Sequence, residues 1–70
     1  MNEVKASMAG SVWKILVKEG DSVSEGQEVA ILESMKMEIP VAAESGGTVS
    51  GIKVNENDFV NEGDVLFVIE

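Results

Sequence analysis

The chain has 70 residues and a formal net charge of −8, and it contains neither cysteine nor histidine. These absences exclude disulfides, thiolate or imidazole metal sites and the commonest general base. Five scattered lysines without arginine offer no clustered cations for nucleic acid or an anionic membrane. The first residues lack the basic start and apolar run of a signal peptide. We therefore expect one cytoplasmic domain spanning residues 1–70, with no metal site, in which catalysis would have to rest on carboxylates, serines or lysines alone.

The first half of the chain reads as short strands separated by turns, with β-branched residues at the strand positions. In the second of these strands the apolar positions change parity, because Val12 is even-numbered whereas Ile15 and Val17 are odd-numbered. A regular strand cannot bury all three side chains on one face, so a bulge or bend is predicted between Val12 and Ile15. The predicted strands cover 2–8, 11–18, 22–24 and 28–33.

The next segment, SMKME at 34–38, is ambiguous on local propensity. AILESMKME is rich in good helix formers and has no Asn-Gly hairpin pattern. Pro40 and the strand-like runs on either side argue against a helix. We therefore predict a tight connection between two strands, with Lys36 at its apex.

The second half of the chain repeats the first. Shifting residues 2–33 by 37 positions places them on 39–70 without a gap, and twelve of the thirty-two pairs are identical. Chance would give roughly two, so the chain consists of two copies of one unit around 34–38. The repeated strands are predicted at 39–44, 47–54, 59–61 and 65–69.

Two copies that cannot each bury an apolar face should pack against one another. The predicted fold is an all-β flattened barrel or sandwich of two small antiparallel sheets, related by an internal pseudo-two-fold. The segment that joins the halves then lies at one tip, and the chain termini meet at the other. Apolar side chains that flank a lysine at such a tip indicate a surface that another protein recognises.

The turns of the two copies correspond as well. Gly20 aligns with Asn57, and both residue types tolerate a positive φ, so a left-handed position is predicted in each turn. Gly26 and Gly63 suggest the same. Gly51 lies at the predicted kink, where we expect that a side chain would not fit. The acidic residues fall largely in turns, and we interpret them as a solvated face.

At this point the sequence resembles the biotinyl/lipoyl carrier domains. MAGSVWKILVKEGDSVSEGQEVAILESMKME followed by SGGTVSGIKVNENDFVNEGDVLFVIE looks like the whole family pattern. The resemblance implies a barrel-sandwich hybrid of two four-stranded sheets, with the modified lysine, Lys36, on the hairpin between the halves. Met35 and Met37 are typical of biotin acceptors, whereas lipoyl domains carry an acidic residue before the lysine and a small one after it. Ser34 departs from the alanine common in biotin domains.

The resemblance further implies a non-catalytic cofactor carrier of the small, stand-alone bacterial type. Biotin–protein ligase would attach biotin to Lys36, using Met35 and Met37 as its main contacts and Glu33, Ser34 and Glu38 as lesser ones. The biotinyl arm would then move carboxyl groups between biotin carboxylase and carboxyltransferase components. Two alternatives remain open at this point: a lipoyl carrier for a 2-oxo acid dehydrogenase-type complex, and an unmodified structural hybrid-barrel module.

Overall fold

A computed structural model describes residues 2–70, which form eight strands. No helix in this part of the chain is long and apolar enough to cross a membrane. The strands are β1 (Asn2–Lys5), β2 (Gly10–Ile15), β3 (Ser22–Val23), β4 (Glu28–Ser34), β5 (Met37–Ala42), β6 (Gly47–Ile52), β7 (Phe59–Val60) and β8 (Val65–Ile69).

The strands form two antiparallel four-stranded sheets, with the order β1-β8-β6-β3 in one and β5-β4-β2-β7 in the other. We call them the terminal sheet and the hairpin sheet, respectively. The predicted all-β architecture is confirmed, although several strands are shorter than predicted. The first strand ends at Lys5 rather than at residue 8, because the chain then crosses to the other sheet, where β2 begins at Gly10.

The internal two-fold is visible in the strand register. Adding or subtracting 37 converts the pairing of one sheet into that of the other, including the positions where the register shifts. Asn2 pairs with Ile69 in the terminal sheet, and their counterparts Ile39 and Leu32 pair in the hairpin sheet. The predicted pseudo-two-fold is therefore confirmed at the level of individual residue pairs.

The predicted bulge is present in both copies. The register shifts between Val12 and Lys14 in β2 and between Val49 and Gly51 in β6. Val12 is fully buried, whereas Trp13 and Lys14 are both exposed, so the parity of the strand changes there. The expectation for Gly51 is wrong: a Cβ at this position would meet no atom closer than 3.7 Å, so the bulge tolerates a side chain.

The core lies between the two sheets and draws on both copies. The largest fully buried side chains are Phe67, Leu32, Leu66, Ile69, Val12, Val29 and Val49. Burying such a side chain contributes about 1.5–3 kcal/mol relative to leaving it in water. Because neither sheet has another surface that could cover these groups, each half of the chain depends on the other for its stability.

The four predicted left-handed turn positions are confirmed. Gly20 and Asn57 have φ values of 94° and 79°, and Gly26 and Gly63 have values of 84° and 90°. These turns are closed by side chains that accept hydrogen bonds from backbone amides three residues earlier. The pairs are Lys18 N–H to Asp21, Ser24 N–H to Gln27, Asn55 N–H to Asp58 and Asn61 N–H to Asp64, all between 2.9 and 3.0 Å.

Two glutamates connect the copies. Glu56 Oε2 accepts a hydrogen bond from the Ile15 N–H at 3.1 Å, and its counterpart Glu19 accepts one from the Ile52 N–H at 3.4 Å. Ile15 and Ile52 end β2 and β6; each pairs with β4 or β8 on one side, whereas β7 and β3 on the other side do not extend that far. The interpretation of the acidic residues as a merely solvated face is therefore incomplete, because several of them satisfy backbone donors.

We predict that Gly47→Ala lowers the free energy of unfolding by about 2 kcal/mol. The new Cβ would lie 2.5 Å from the Glu70 carbonyl oxygen and 2.7 Å from Ile69 Cγ2, so the backbone of β8 would have to move. Urea denaturation followed by tryptophan fluorescence measures this change. Gly51→Ala is the matched control in the same strand, and an equal loss of stability in both variants would contradict the packing argument.

Candidate functional site

The connection between the halves is a two-residue hairpin. Glu33 pairs with Glu38 and Ser34 pairs with Met37, which leaves only Met35 and Lys36 in the loop. The predicted tight connection at 34–38 is thus shorter than expected, because the cross-strand pairing of β4 and β5 continues to its last residue. Lys36 lies at the tip, as the sequence predicts.

Both loop residues adopt left-handed backbone conformations. Met35 has a φ of 51° and Lys36 a φ of 66°. Positive φ at both central residues is the pattern of the type I′ hairpin turn, which normally selects Asn-Gly. A side chain in this region costs roughly 1–2 kcal/mol per residue. The turn therefore carries two side chains that are unfavourable for the backbone, and such outliers cluster at functional sites.

The side chains of the tip face solvent. Met35 is 91% exposed and Met37 is 62% exposed, and Lys36 is exposed between them. Among residues 2–70 no carboxylate oxygen lies within 4.0 Å of the Lys36 amine; the ion pair in this part of the chain joins Lys5 and Glu3. The amine is open to solvent, and a lysine amine acts as a nucleophile only in its unprotonated form, so an acylating partner must desolvate it and provide for removal of its proton.

The remaining predicted residues lie in the base of the hairpin. Glu33 and Glu38 are exposed and directly opposite each other on β4 and β5. Ser34 is half-buried and lies opposite Met37. The structure thus brings all six predicted site residues into one hairpin.

Gly10 supports this base and was not among the residues singled out from the sequence. A Cβ at Gly10 would lie 2.8 Å from the Glu33 carbonyl oxygen and 3.4 Å from Ser34 Cβ. The backbone of β2 therefore lies tightly against the last residues of β4. The identity of Gly10 and Gly47 across the repeat was the available indication that a close approach requires glycine here.

Two surface crevices lie away from the hairpin tip. Their volumes are about 290 and 310 Å³, and they follow the edge strands β1 and β5. The first includes the carboxylates of Glu3 and Glu44, and the second includes that of Glu44 alone. An enzyme built on carboxylates would need several of them clustered in one cleft, and neither crevice provides that arrangement.

An all-β sandwich that displays a single lysine on the hairpin between its halves has the architecture of a carrier domain. The family model described as "Biotin-requiring enzyme" (Biotin_lipoyl) matches residues 2–69. The chain therefore belongs to the biotinyl/lipoyl carrier family, which confirms the resemblance noted in the sequence.

Similar proteins agree with this assignment. The chain is 62% identical over 63 residues to the biotin/lipoyl attachment protein of Bacillus subtilis, covering 90% of this chain and 86% of the relative. It is 48% identical over 68 residues to the biotin carboxyl carrier protein of Streptococcus mutans, covering 97% of this chain and 52% of the relative. These relatives are named as attachment and carrier proteins, in agreement with a non-catalytic carrier.

A solved structure shows the same fold inside a much larger enzyme. The crystal structure of Kluyveromyces lactis urea carboxylase contains a region that superposes with a TM-score of 0.92 at 35% sequence identity. The match covers 99% of this chain but only 6% of the carboxylase chain. The chain thus corresponds to a small part of that enzyme, and to about half the length of the Streptococcus carrier protein.

We predict that replacing Met35-Lys36 with Asn-Gly raises the free energy of unfolding by about 2 kcal/mol, since it removes the backbone cost of two left-handed side chains. Urea denaturation measures the gain. Placing the same dipeptide at Met37-Glu38, within β5, should instead lower stability. A turn variant no more stable than the parent would show that the two side chains are not strained.

Proposed function

We propose that the chain carries biotin as an amide on Lys36 Nζ. The main support is the position of this lysine, which is exposed in a two-residue turn between two exposed methionines. Met35 has a positive φ, and Met37 begins the edge strand β5. Folding does not require this arrangement, because Asn-Gly would satisfy the same turn at lower cost. Relatives named as biotin carboxyl carrier proteins support biotin as the attached group.

Attachment requires a second protein that activates the carboxyl group of biotin as an acyl adenylate. The deprotonated Lys36 Nζ attacks the acyl carbon, the amide C–N bond forms, and the acyl C–O bond to phosphate breaks as AMP leaves. The proton released from the amine passes to the ligase or to solvent. Since no carboxylate of residues 2–70 lies within 4.0 Å of Nζ, we infer that the base is the ligase or water rather than a group of this chain.

In this proposal the chain contributes position rather than chemistry. Biotin supplies the ureido nitrogen that accepts and releases a carboxyl group. The sandwich holds Lys36 on a rigid base, and the lysine stem and biotin form a tether that keeps the ring at high effective concentration near the partner sites. We propose biotin carboxylase and carboxyltransferase components as these partners, supported by relatives that are subunits of biotin-dependent carboxylases. The cytoplasmic location stays a prediction.

The two alternatives receive less support. A lipoyl carrier would match one relative, whose name includes both cofactors, but not those named as biotin carboxyl carriers or carboxylase subunits. An unmodified structural module would leave the strained turn and its displayed lysine without a role. Intact mass separates all three functions, since biotinyl and lipoyl amides differ in mass and an unmodified module gains neither.

We predict that Lys36→Arg abolishes biotinylation by a purified bacterial biotin–protein ligase, because the guanidinium cannot be acylated under these conditions. Intact mass after incubation with biotin and ATP should show one biotinyl group on the parent chain and none on the variant. Lys53→Arg is the control and should be labelled normally. Melting temperatures should agree within error, and label on Lys14 or Lys18 in the Lys36→Arg variant would move the site.

The flanking methionines are predicted to provide apolar contacts to the ligase. Met35→Ala and Met37→Ala should each lower kcat/KM for biotinylation by about tenfold, with full modification still reached at long times. The measurement is a time course of intact mass. Met35→Leu and Met37→Leu keep an apolar side chain of similar size and should retain most of the rate; equal losses for Ala and Leu would contradict a simple apolar contact.

A further inference from the structure

The outer surface of the hairpin sheet carries a row of residues that ends at the base of the Lys36 hairpin. Phe59 pairs with Ser11, Ser11 pairs with Glu33, and Glu33 pairs with Glu38. Directly paired residues of antiparallel strands place their side chains on the same face of a sheet. Phe59 is 66% exposed, so this face is the one that points to solvent.

Further apolar residues extend this row. Trp13 lies two residues beyond Ser11 in β2 and is 40% exposed, and Leu16, just past the end of β2, is 46% exposed. Ile31 is half-buried and pairs with the exposed Pro40 on β5. We call this set the apolar face; it consists of Trp13, Leu16, Ile31, Pro40 and Phe59.

The internal two-fold supplies a comparison for this face within the same molecule. The positions related to it by the 37-residue shift lie on the terminal sheet, which has the same strand order and register. Four of the five are polar or much smaller, and the fifth is an aliphatic residue in both sheets. In the order given above, the counterparts are Ser50, Lys53, Val68, Glu3 and Ser22.

This difference bears on function because the two sheets meet the same folding requirements. Serine and lysine suffice at the outer positions of the terminal sheet, so tryptophan, leucine and phenylalanine are not required by the architecture of the hairpin sheet. Exposed apolar side chains gathered on one face indicate contact with a partner. The face that has them is the one whose strands carry Lys36.

We propose that the apolar face is the docking surface for the enzyme that acylates Lys36, a proposal that rests on the function proposed above. The occupant is a protein surface with an apolar recess bordered by lysine or arginine side chains. An enzyme that acts on the bare amine must approach the hairpin closely, because the lysine stem is short compared with the biotinyl arm formed later. Its surface then extends from the tip over Glu33 and Glu38 toward Phe59 and Trp13.

Charge favours such a partner over a second copy of this chain. The protein has a net charge of −8, and Glu33 and Glu38 border the face nearest the tip. The cation of this face, Lys14, lies with its Nζ 5.4 Å from the centroid of the Trp13 ring. Two copies meeting through this face would bring like charges together, whereas a basic rim on a partner would be attracted.

The test replaces residues of the apolar face with those that the terminal sheet has at the same positions. We compare the parent with Phe59→Ser/Trp13→Ser and with Leu16→Lys, using purified biotin–protein ligase, biotin, ATP and intact mass over time. Each variant should show at least a tenfold lower kcat/KM, arising mainly from a higher KM, with complete modification at long times. Because Trp13→Ser removes the one tryptophan of the chain, urea denaturation followed by circular dichroism identifies the variants that remain folded at the assay temperature. If the double variant is unfolded, Leu16→Lys still tests the proposal.

Ser22→Ala and Lys53→Ala on the terminal sheet are the matched controls, and they should be labelled at the parental rate. If the parent chain and the folded variants of the apolar face are labelled equally fast, the docking surface is overturned and the proposed function stands. A parent that gains no biotin would instead overturn the proposed function. A concentration-dependent dimer of the parent, lost in the face variants on sedimentation, would assign the face to a second copy and overturn the proposal.

Discussion

Everything in this small protein depends on the fact that neither half can bury its apolar face without the other. Phe67 and Leu32 come from different copies and are both fully buried between the sheets. Without cysteine there is no covalent constraint, so shared burial has to fix the relative position of the halves. The reciprocal bonds of Glu19 and Glu56 to the opposite copy then complete the ends of β2 and β6. This mutual dependence gives the hairpin a rigid base.

That rigidity makes the unusual turn possible. Six residue pairs, from Glu28–Ala42 to Ser34–Met37, hold β4 and β5 together, and the five nearest the tip are consecutive. This ladder fixes the ends of the loop so firmly that Met35 and Lys36 adopt left-handed conformations that their own side chains disfavour. The stability of the packed sheets thus offsets the backbone cost of Met35 and Lys36. Packing of the core is in this way linked to the display of the amine.

The repeat explains why much of the fold was predictable. It revealed the two-fold, the paired bulges and the left-handed positions at Gly20 and Asn57, and it overruled the helix that AILESMKME favours locally. The bonds of Glu19 and Glu56 were not predictable, since each joins residues more than thirty positions apart through geometry that only the packed halves create. The same holds for Gly10, whose need for glycine arises from the approach of β4. Lys36 could be identified because it lies in 34–38, the segment that belongs to neither copy of the repeat. Its cofactor, in contrast, was predicted only from the family resemblance.

The correspondence of the β4–β5 and β8–β1 pairs has a consequence for the directionality of the molecule. Both pairs share one register, but a loop joins only the first, because β8 is the last strand and β1 the first. The architecture has two equivalent ends, and chain connectivity alone makes one of them a tip. The symmetric body therefore has one functional end: whatever Lys36 carries is displayed at the tip of the hairpin, and each enzyme that acts on it has to approach that end.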